Sequence, residues 1–277
     1  MRQCDLCNSS LINRHKNPAH RRDIYRCSKC GLVFTSPIPR GEALVRASSD
    51  DPMVFRDPQE LFKRQESYFA FMLNELAELS HHGKLLDIGC GFGQMLRLAR
   101  DRGFNVRGVE IQESSADYAR RSGIDVFCGT VEQRKFDDGT FDVVTMWEVL
   151  EHVESPSATL REVSRIMKED GILSIVVPNV ASKNAKRDPY WWKPYHFYHF
   201  SNETLSKYLR ASGFDVLKAI INPHLTLKRS PEKKRECFSR HRKLISYIRG
   251  FMSLPILSSI LLRFLGEGSI TIYARKK

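Results

Sequence analysis

Three observations predict an α/β chain built on a doubly wound parallel sheet, with a small metal-binding module at its N-terminal end. From residue 84 onward, short apolar runs of strand length alternate with amphipathic runs of helix length. A glycine-rich turn, Gly89-Cys90-Gly91-Phe92-Gly93, joins the first such strand to the first such helix. Upstream, Cys4-x-x-Cys7 and Cys27-x-x-Cys30 form two tight cysteine pairs. At 277 residues the chain has room for one full domain and a small appendage. A hydrophobic content of 42% with 27% charged residues is an ordinary folded composition and excludes a disordered one.

The elements follow in order. The spacing predicts strands over 84–88, 105–110 and 125–128, with helices over 94–102 and 113–122 closed by Gly103 and Gly123. Asp137-Asp138-Gly139 makes a turn into a fourth strand over 141–146. A helix over 157–168 leads to a fifth strand over 171–177 that Pro178 stops, and a serine-capped helix over 201–212 leads to a sixth strand over 214–221. Residues 268–274 read as a seventh strand. Right-handed crossovers place any ligand at the carboxyl ends of the parallel strands. The expected boundaries are 1–36 for the metal module, 37–80 for a linker (Pro37, Pro39) and a helix over 58–79, and 81–277 for the main domain.

The two cysteine pairs can offer Cys4, Cys7, Cys27 and Cys30 to one tetrahedral ion. Structural zinc is the preferred reading, since four sulfur ligands leave no open position for substrate and about 35 residues bury little core. Disulfides and a redox C-x-x-C are the alternatives. The lack of an apolar leader before Cys4 makes a reducing cytoplasm the expectation, with the inner face of a membrane as a second reading. Cys90, Cys128 and Cys237 read as buried, unreactive thiols.

In the glycine turn, a dinucleotide fingerprint would need Gly or Ala at 94, where Gln94 stands. The run Asp87-Ile88-Gly89-Cys90-Gly91-Phe92-Gly93 resembles the first motif of class I S-adenosylmethionine (SAM) methyltransferases, DxGxGxG. Phe141-Asp142-Val143-Val144, Trp147-Glu148-Val149-Leu150-Glu151-His152-Val153 and Leu173-x-Ile175-x-Val177-Pro178-Asn179 extend the likeness over residues 84–180. The resemblance implies a Rossmann-like seven-stranded methyltransferase fold with the last strand antiparallel. It also implies cofactor contacts from Asp87, Gly89, Gly91, Gly93, Glu110, Thr130, Val131 and Trp147. Glu110 would take the ribose hydroxyls and Val131 would pack on adenine; many relatives carry Asp at the Thr130 position. An [N/D]-P-P-[Y/W] tetrapeptide, common in enzymes that methylate nucleic-acid amines, is missing from the sequence after the fourth strand.

His152 is a candidate general base, with a loop-tethering role as the alternative. Glu148, Glu151 and His152 also match the E-x-x-E-H that holds a divalent ion in some quinone-precursor O-methyltransferases. Seven aromatics and two histidines gather in 190–201, and a loop there is expected to face the ligand crevice, with His196 ahead of His199 as a second candidate base. Closing the domain by packing is the alternative reading of the same loop.

The balance of 44 basic against 32 acidic residues, net +12, favours polyanionic partners. Residues 222–249 hold nine Lys/Arg and two Glu, and 250–262 is uncharged but too short to span a bilayer. A helical cover over the site, an anionic membrane surface and RNA are the readings of this 222–267 insertion, with RNA ranked last. The Cys-Gly-Leu-Val-Phe-x-x-Pro run at 30–37 looks like metal modules on methyltransferases of glycan and sugar biosynthesis. The resemblance thus implies a methyltransferase using SAM and structural zinc on a small-molecule or glycan acceptor, saccharide-like and lipid-linked in one version. An rRNA methyltransferase and a non-catalytic binding protein that keeps the fold are the alternatives. Oligomeric state has no signal in the sequence.

Overall fold

The computed structural model describes residues 3–15, 23–49, 57–80, 82–182, 192–223 and 267–277. Residues 224–266 of the expected basic insertion, Cys237 among them, and the first two aromatics of the 190–201 cluster lie outside them. The chain opens with β1 (Ile12–His15), β2 (Ile24–Cys27) and β3 (Val33–Thr35), an antiparallel meander. Helices α1 (Glu42–Ser49) and α2 (Pro58–Leu79) follow, then β4 (Lys84–Ile88), α3 (Gln94–Asp101), β5 (Asn105–Glu110), α4 (Glu113–Arg121), β6 (Asp125–Cys128), α5 (Val131–Arg134) and β7 (Phe141–Trp147). The chain continues through α6 (Pro156–Ile166), β8 (Met167–Pro178), β9 (Tyr198–His199), α7 (Asn202–Ala211), β10 (Phe214–Pro223) and β11 (Glu267–Lys276).

Seven strands form the main sheet in the order β10-β11-β8-β7-β4-β5-β6. The β4, β5, β6, β7 and β8 pairings are parallel, and β11 runs antiparallel between β8 and β10. This is the expected Rossmann-like order with an inverted last strand. The strand order reverses between β4 and β7, so the carboxyl ends of those two strands flank the crevice where such sheets take ligands.

Local chemistry explains the element ends. Asp57 caps α2 by accepting the Gln59 N–H at 3.0 Å, with Pro58 at the first helical position. Ser155 and Pro156 open α6 in the same way, and Ser201 with Thr204 forms a capping box on α7. Alternating residues of each strand enter different cores. Leu85, Val143 and Val176 meet Leu73 and Leu76 of α2, Leu96 of α3 and Ala119 of α4 on one face. Leu86, Val144 and Ile175 meet Leu160 of α6 and Leu209 of α7 on the other.

Two differences from the sequence reading have physical causes. Residues 167 and 168 belong to β8, not to the preceding helix, and the strand starts four residues earlier than expected: Met167 is already extended, and a register shift follows as Phe141 pairs Met167 while Val143 pairs Ile172. Asp170 takes a positive φ of 61° within that bulge. The last two strands run longer than expected because they pair with each other from Phe214–Lys276 to Pro223–Glu267.

The N-terminal meander does not stand apart. Its sheet has four strands, β1-β2-β3-β9, and the fourth comes from residues 198–199, more than 160 positions later. No helix among the described residues is long and apolar enough to cross a membrane.

Candidate functional site

The chain leaves β4 through three glycines in the left-handed region, Gly89 (φ 74°), Gly91 (φ 54°) and Gly93 (φ 75°). A β-carbon at Gly89 would collide with Val149 Cγ2, so the turn and the loop after β7 are packed backbone to side chain. A β-carbon at Gly91 would meet nothing within 4 Å, which leaves this backbone open. Gly93 is the N-cap of α3 and offers no side-chain cap, so the helix's first N–H groups remain directed at this end of the sheet.

Two acids flank the turn. Asp87 is 6% exposed and its Oδ1 accepts the Thr145 hydroxyl at 2.6 Å. Glu110 is 7% exposed and accepts the backbone N–H of Gly91 and of Gln112, both at 2.8 Å. Burial pushes the Asp87 carboxyl up to about 7, the Thr145 hydrogen bond opposes the rise, and the Glu110 charge adds to it. Burial also raises Glu110, against the N–H groups of Gln112, Gly91 and Ile111 that favour its charge. Two desolvated carboxyls side by side are costly to ionise alone, and a cation between or beside them relieves that cost. Burial and these same acids push the Cys90 thiol up, away from reactivity. Cys128 is half-buried, not buried as expected, with its thiol 3.3 Å from Glu113 Oε2.

Trp147 ends β7 on the same face as Asp87 and Thr145. Its indole N–H donates to Ser174 Oγ at 2.9 Å, and Phe69 of α2 stacks on it with centroids 5.9 Å apart. Tyr68 meets the same indole edge-on at 6.3 Å. The long helix thereby closes one side of the crevice. Sequence reasoning missed Tyr68 and Phe69, because an aromatic pair in an amphipathic helix carries no mark of which element it will cover. Past β6, Thr130 caps α5, a helix the sequence reading did not anticipate. The Thr130 N–H donates to Gln133 Oε1 at 2.8 Å and its hydroxyl accepts the Gln133 N–H at 3.3 Å. Val131, 1% exposed, follows.

Beyond β7 the chain brings His152 and His196 together, their rings edge to face with centroids 4.8 Å apart. His152 Nδ1 lies 2.8 Å from the Tyr195 carbonyl, which only accepts, so the proton is assigned to Nδ1 and the lone pair to Nε2. That Nε2 is 3.6 Å from Oε1 of Glu151, a carboxylate 1% exposed. Ligand atoms of Glu151, His152 and His196 all fall within 4.8 Å of one another. Glu148, which the E-x-x-E-H pattern would add, is not in this group; it is exposed, at a φ of 59°.

His199 is placed elsewhere. It sits on β9, 4% exposed, with its ring 4.5 Å from Trp192. The whole run Tyr195, His196, Phe197, Tyr198, His199 and Phe200 is buried. Phe197 and Tyr198 donate their N–H groups to the Glu151 carbonyl at 2.8 and 3.2 Å, and the Phe200 carbonyl accepts the Val180 N–H at 2.9 Å. This aromatic segment is therefore a packed strap, with His196 the member turned to His152.

The cysteines converge at the N-terminus. The four Sγ atoms lie within 4.8 Å of one another, with Cys4–Cys30 at 3.4 Å and Cys7–Cys27 at 3.6 Å. A disulfide needs about 2.05 Å, whereas sulfurs about 2.3 Å from a shared tetrahedral ion are about 3.8 Å apart. The donor set fits one metal ion. Each pair forms the same turn: Asn8 N–H returns to the Cys4 carbonyl at 2.8 Å and Gly31 N–H to the Cys27 carbonyl at 2.9 Å, with φ of 53° and 84°. Asn8 is thus the counterpart of Gly31, legible by overlaying the two pairs and missed without doing so. Asp5, between Cys4 and Cys7, accepts from the Ser155 hydroxyl (2.6 Å), the Ser157 N–H (2.9 Å) and hydroxyl (3.2 Å), and the Tyr208 hydroxyl (3.0 Å). It sets a negative charge at the N-terminus of α6.

Comparison with known proteins agrees with this architecture. The family model described as "Methyltransferase domain" matches residues 61–219. A ubiquinone biosynthesis O-methyltransferase of Pseudomonas aeruginosa is 37% identical over 95 residues, which is 32% of this chain and 41% of that protein. One of Caulobacter vibrioides is 32% identical over 134 residues, 46% of this chain and 53% of that protein. The chain spans about half the length of these curated relatives. Among solved structures, a SAM-dependent methyltransferase from Archaeoglobus fulgidus superposes with a TM-score of 0.56 at 24% identity, covering 79% of this chain and 100% of that one, a likeness of fold. With more than half of its length inside the family match and the glycine turn, acids and inverted strand in place, the chain belongs to the methyltransferase-domain family.

Proposed function

We propose that this protein transfers a methyl group from SAM to a small-molecule acceptor. The observation that carries the reading is the pairing of two buried carboxyls, Asp87 and Glu110, with the open left-handed backbone of Gly91 at the N-terminus of α3. Bound there, SAM supplies an electrophilic sulfonium methyl. Asp87 balances the ligand's positive charge. Glu110, whose two oxygens keep acceptor capacity beyond the Gly91 and Gln112 N–H groups, takes the ribose hydroxyls. Gly89 and Gly93 keep the backbone close, Trp147 forms the wall against α2, and Val131 packs on the adenine side. Thr130 acts through the α5 cap that fixes Val131, its backbone N–H donating to Gln133 Oε1 and its hydroxyl oxygen accepting the Gln133 N–H.

His152 is the base of this reading. Its Nε2 accepts the acceptor's proton, the Tyr195 carbonyl holds the ring, and Glu151 stabilises the imidazolium that forms. His196 orients His152 from the side, and His199 belongs to the strap that carries His196. The four cysteines hold a structural zinc ion. The ubiquinone-biosynthesis O-methyltransferase names of the relatives support a small-molecule acceptor. A saccharide or related metabolite, lipid-linked, is the acceptor class that the resemblance of the 30–37 run favours.

Incubation with methyl-labelled SAM and fractionated extract tests this. Label is expected in a small-molecule, glycan or lipid fraction; label confined to RNA overturns it in favour of an rRNA methyltransferase. The variant His152→Gln is expected to lower turnover by about tenfold or more with cofactor affinity unchanged.

A further inference from the structure

The knuckle and the candidate base are joined by a single run of hydrogen bonds. Thr35, fully buried at the end of β3, donates its N–H to the Phe197 carbonyl at 2.8 Å and its hydroxyl lies 3.4 Å from the same oxygen. Phe197 and Tyr198 donate onward to the Glu151 carbonyl. Val33 and Phe34 pair with His199 and Tyr198, so the strap carrying His196 is the outer strand of the metal module's sheet. The residue after His196 is held on one side by the knuckle's last strand and on the other by the residue before His152. Cys27 lies on β2, which pairs directly with β3. Asp5 then fixes the opposite corner of the knuckle to α6 and α7.

We infer that the metal-loaded knuckle is the positioning element of the histidine pair: the β3–β9 pairing through Thr35 and Phe197 places His196 against His152, and loss of the metal releases that strap while leaving the cofactor side of the sheet intact. The inference rests on the proposed base and specifies how it is positioned. Its physical basis is that a segment as short as this knuckle has little core of its own, so metal binding supplies its folding free energy. When that is withdrawn, β3 loses its shape and β9, only two residues long, loses its partner strand among the described residues. Leu86 and Ile88 of β4 share the larger core with the knuckle and strap, but β4 is hydrogen-bonded on both edges by β5 and β7, and Leu85 with the α3 side of the glycine turn packs in the opposite core.

The test uses the full chain, loaded with Zn²⁺ and then stripped by a chelator. Amide hydrogen exchange at Phe197 and Tyr198 is expected to speed up by about 100-fold or more on stripping, while Leu85 and Leu86 in β4 keep their protection. Calorimetric SAM affinity is expected to change by less than about threefold, and imidazole resonances of His152 and His196 to shift. Unchanged exchange at 197 and 198 overturns the inference, and so does simultaneous loss of protection in β4, since the knuckle would then be a general stabiliser. As a second handle, Asp5→Asn keeps all four thiols and is expected to retain the metal yet raise exchange at 197 and 198 by about tenfold; no change there also overturns it. Failure of the methyltransferase reading is distinguishable: SAM binding would be missing in the loaded protein while the exchange response persisted.

Discussion

At Asp87, burial and the neighbouring Glu110 hold the carboxyl at about 7, and the sign of its effect on stability follows from that rise. A carboxyl whose folded value lies above its unfolded one binds more protons in the native state between the two values. Its contribution to stability is therefore full below about pH 4 and lost as pH rises through about 7. Asp87→Asn is expected to flatten that part of the pH–stability profile in thermal melts of the cofactor-free protein. The same variant is expected to weaken SAM binding by at least about tenfold, so stability above pH 7 and affinity move in opposite directions. In the parent protein, affinity for the cation is expected to fall about tenfold from pH 8 to pH 6 as the carboxyl protonates. Gly89→Ala tests the turn: the left-handed φ and the Val149 side chain both oppose a β-carbon, and loss of cofactor binding in calorimetry is the expected result.

At the scale of elements, Asp5 ties the N-terminal knuckle to α6 by hydrogen bonds, beside an apolar cluster that the two share. Asp5→Ala removes four acceptor contacts to Ser155, Ser157 and Tyr208, and a cost of about 2–4 kcal/mol in denaturant unfolding is expected, with metal content retained. Nothing in the sequence marks this contact, because its partners lie 150 and 203 positions away and a lone Asp between cysteines has no periodicity. The parallel strands were legible, since each is a buried apolar run bounded by a turn residue. The two-residue β9 was not: a strand that short shows no alternation, and the aromatic run around it reads equally as a loop. Tyr195 through Phe200 are buried, and His196 reaches His152.

Over the whole molecule, the cofactor side and the metal side occupy different faces of one sheet, linked through the loop after β7 and the strap. The glycine turn and its acids were readable in order along the chain because both lie at strand ends in a repeating unit. The joint between the two sides was not, since it is made by tertiary pairing alone. Every proposed role requires that the Asp87–Gly93 turn receive a sulfonium nucleoside. Titration calorimetry of SAM into the zinc-loaded full chain at pH 8 tests it most directly. One site with micromolar affinity is expected, weakened at least about tenfold in Asp87→Asn; no heat with SAM or with its demethylated product would contradict that role of the turn.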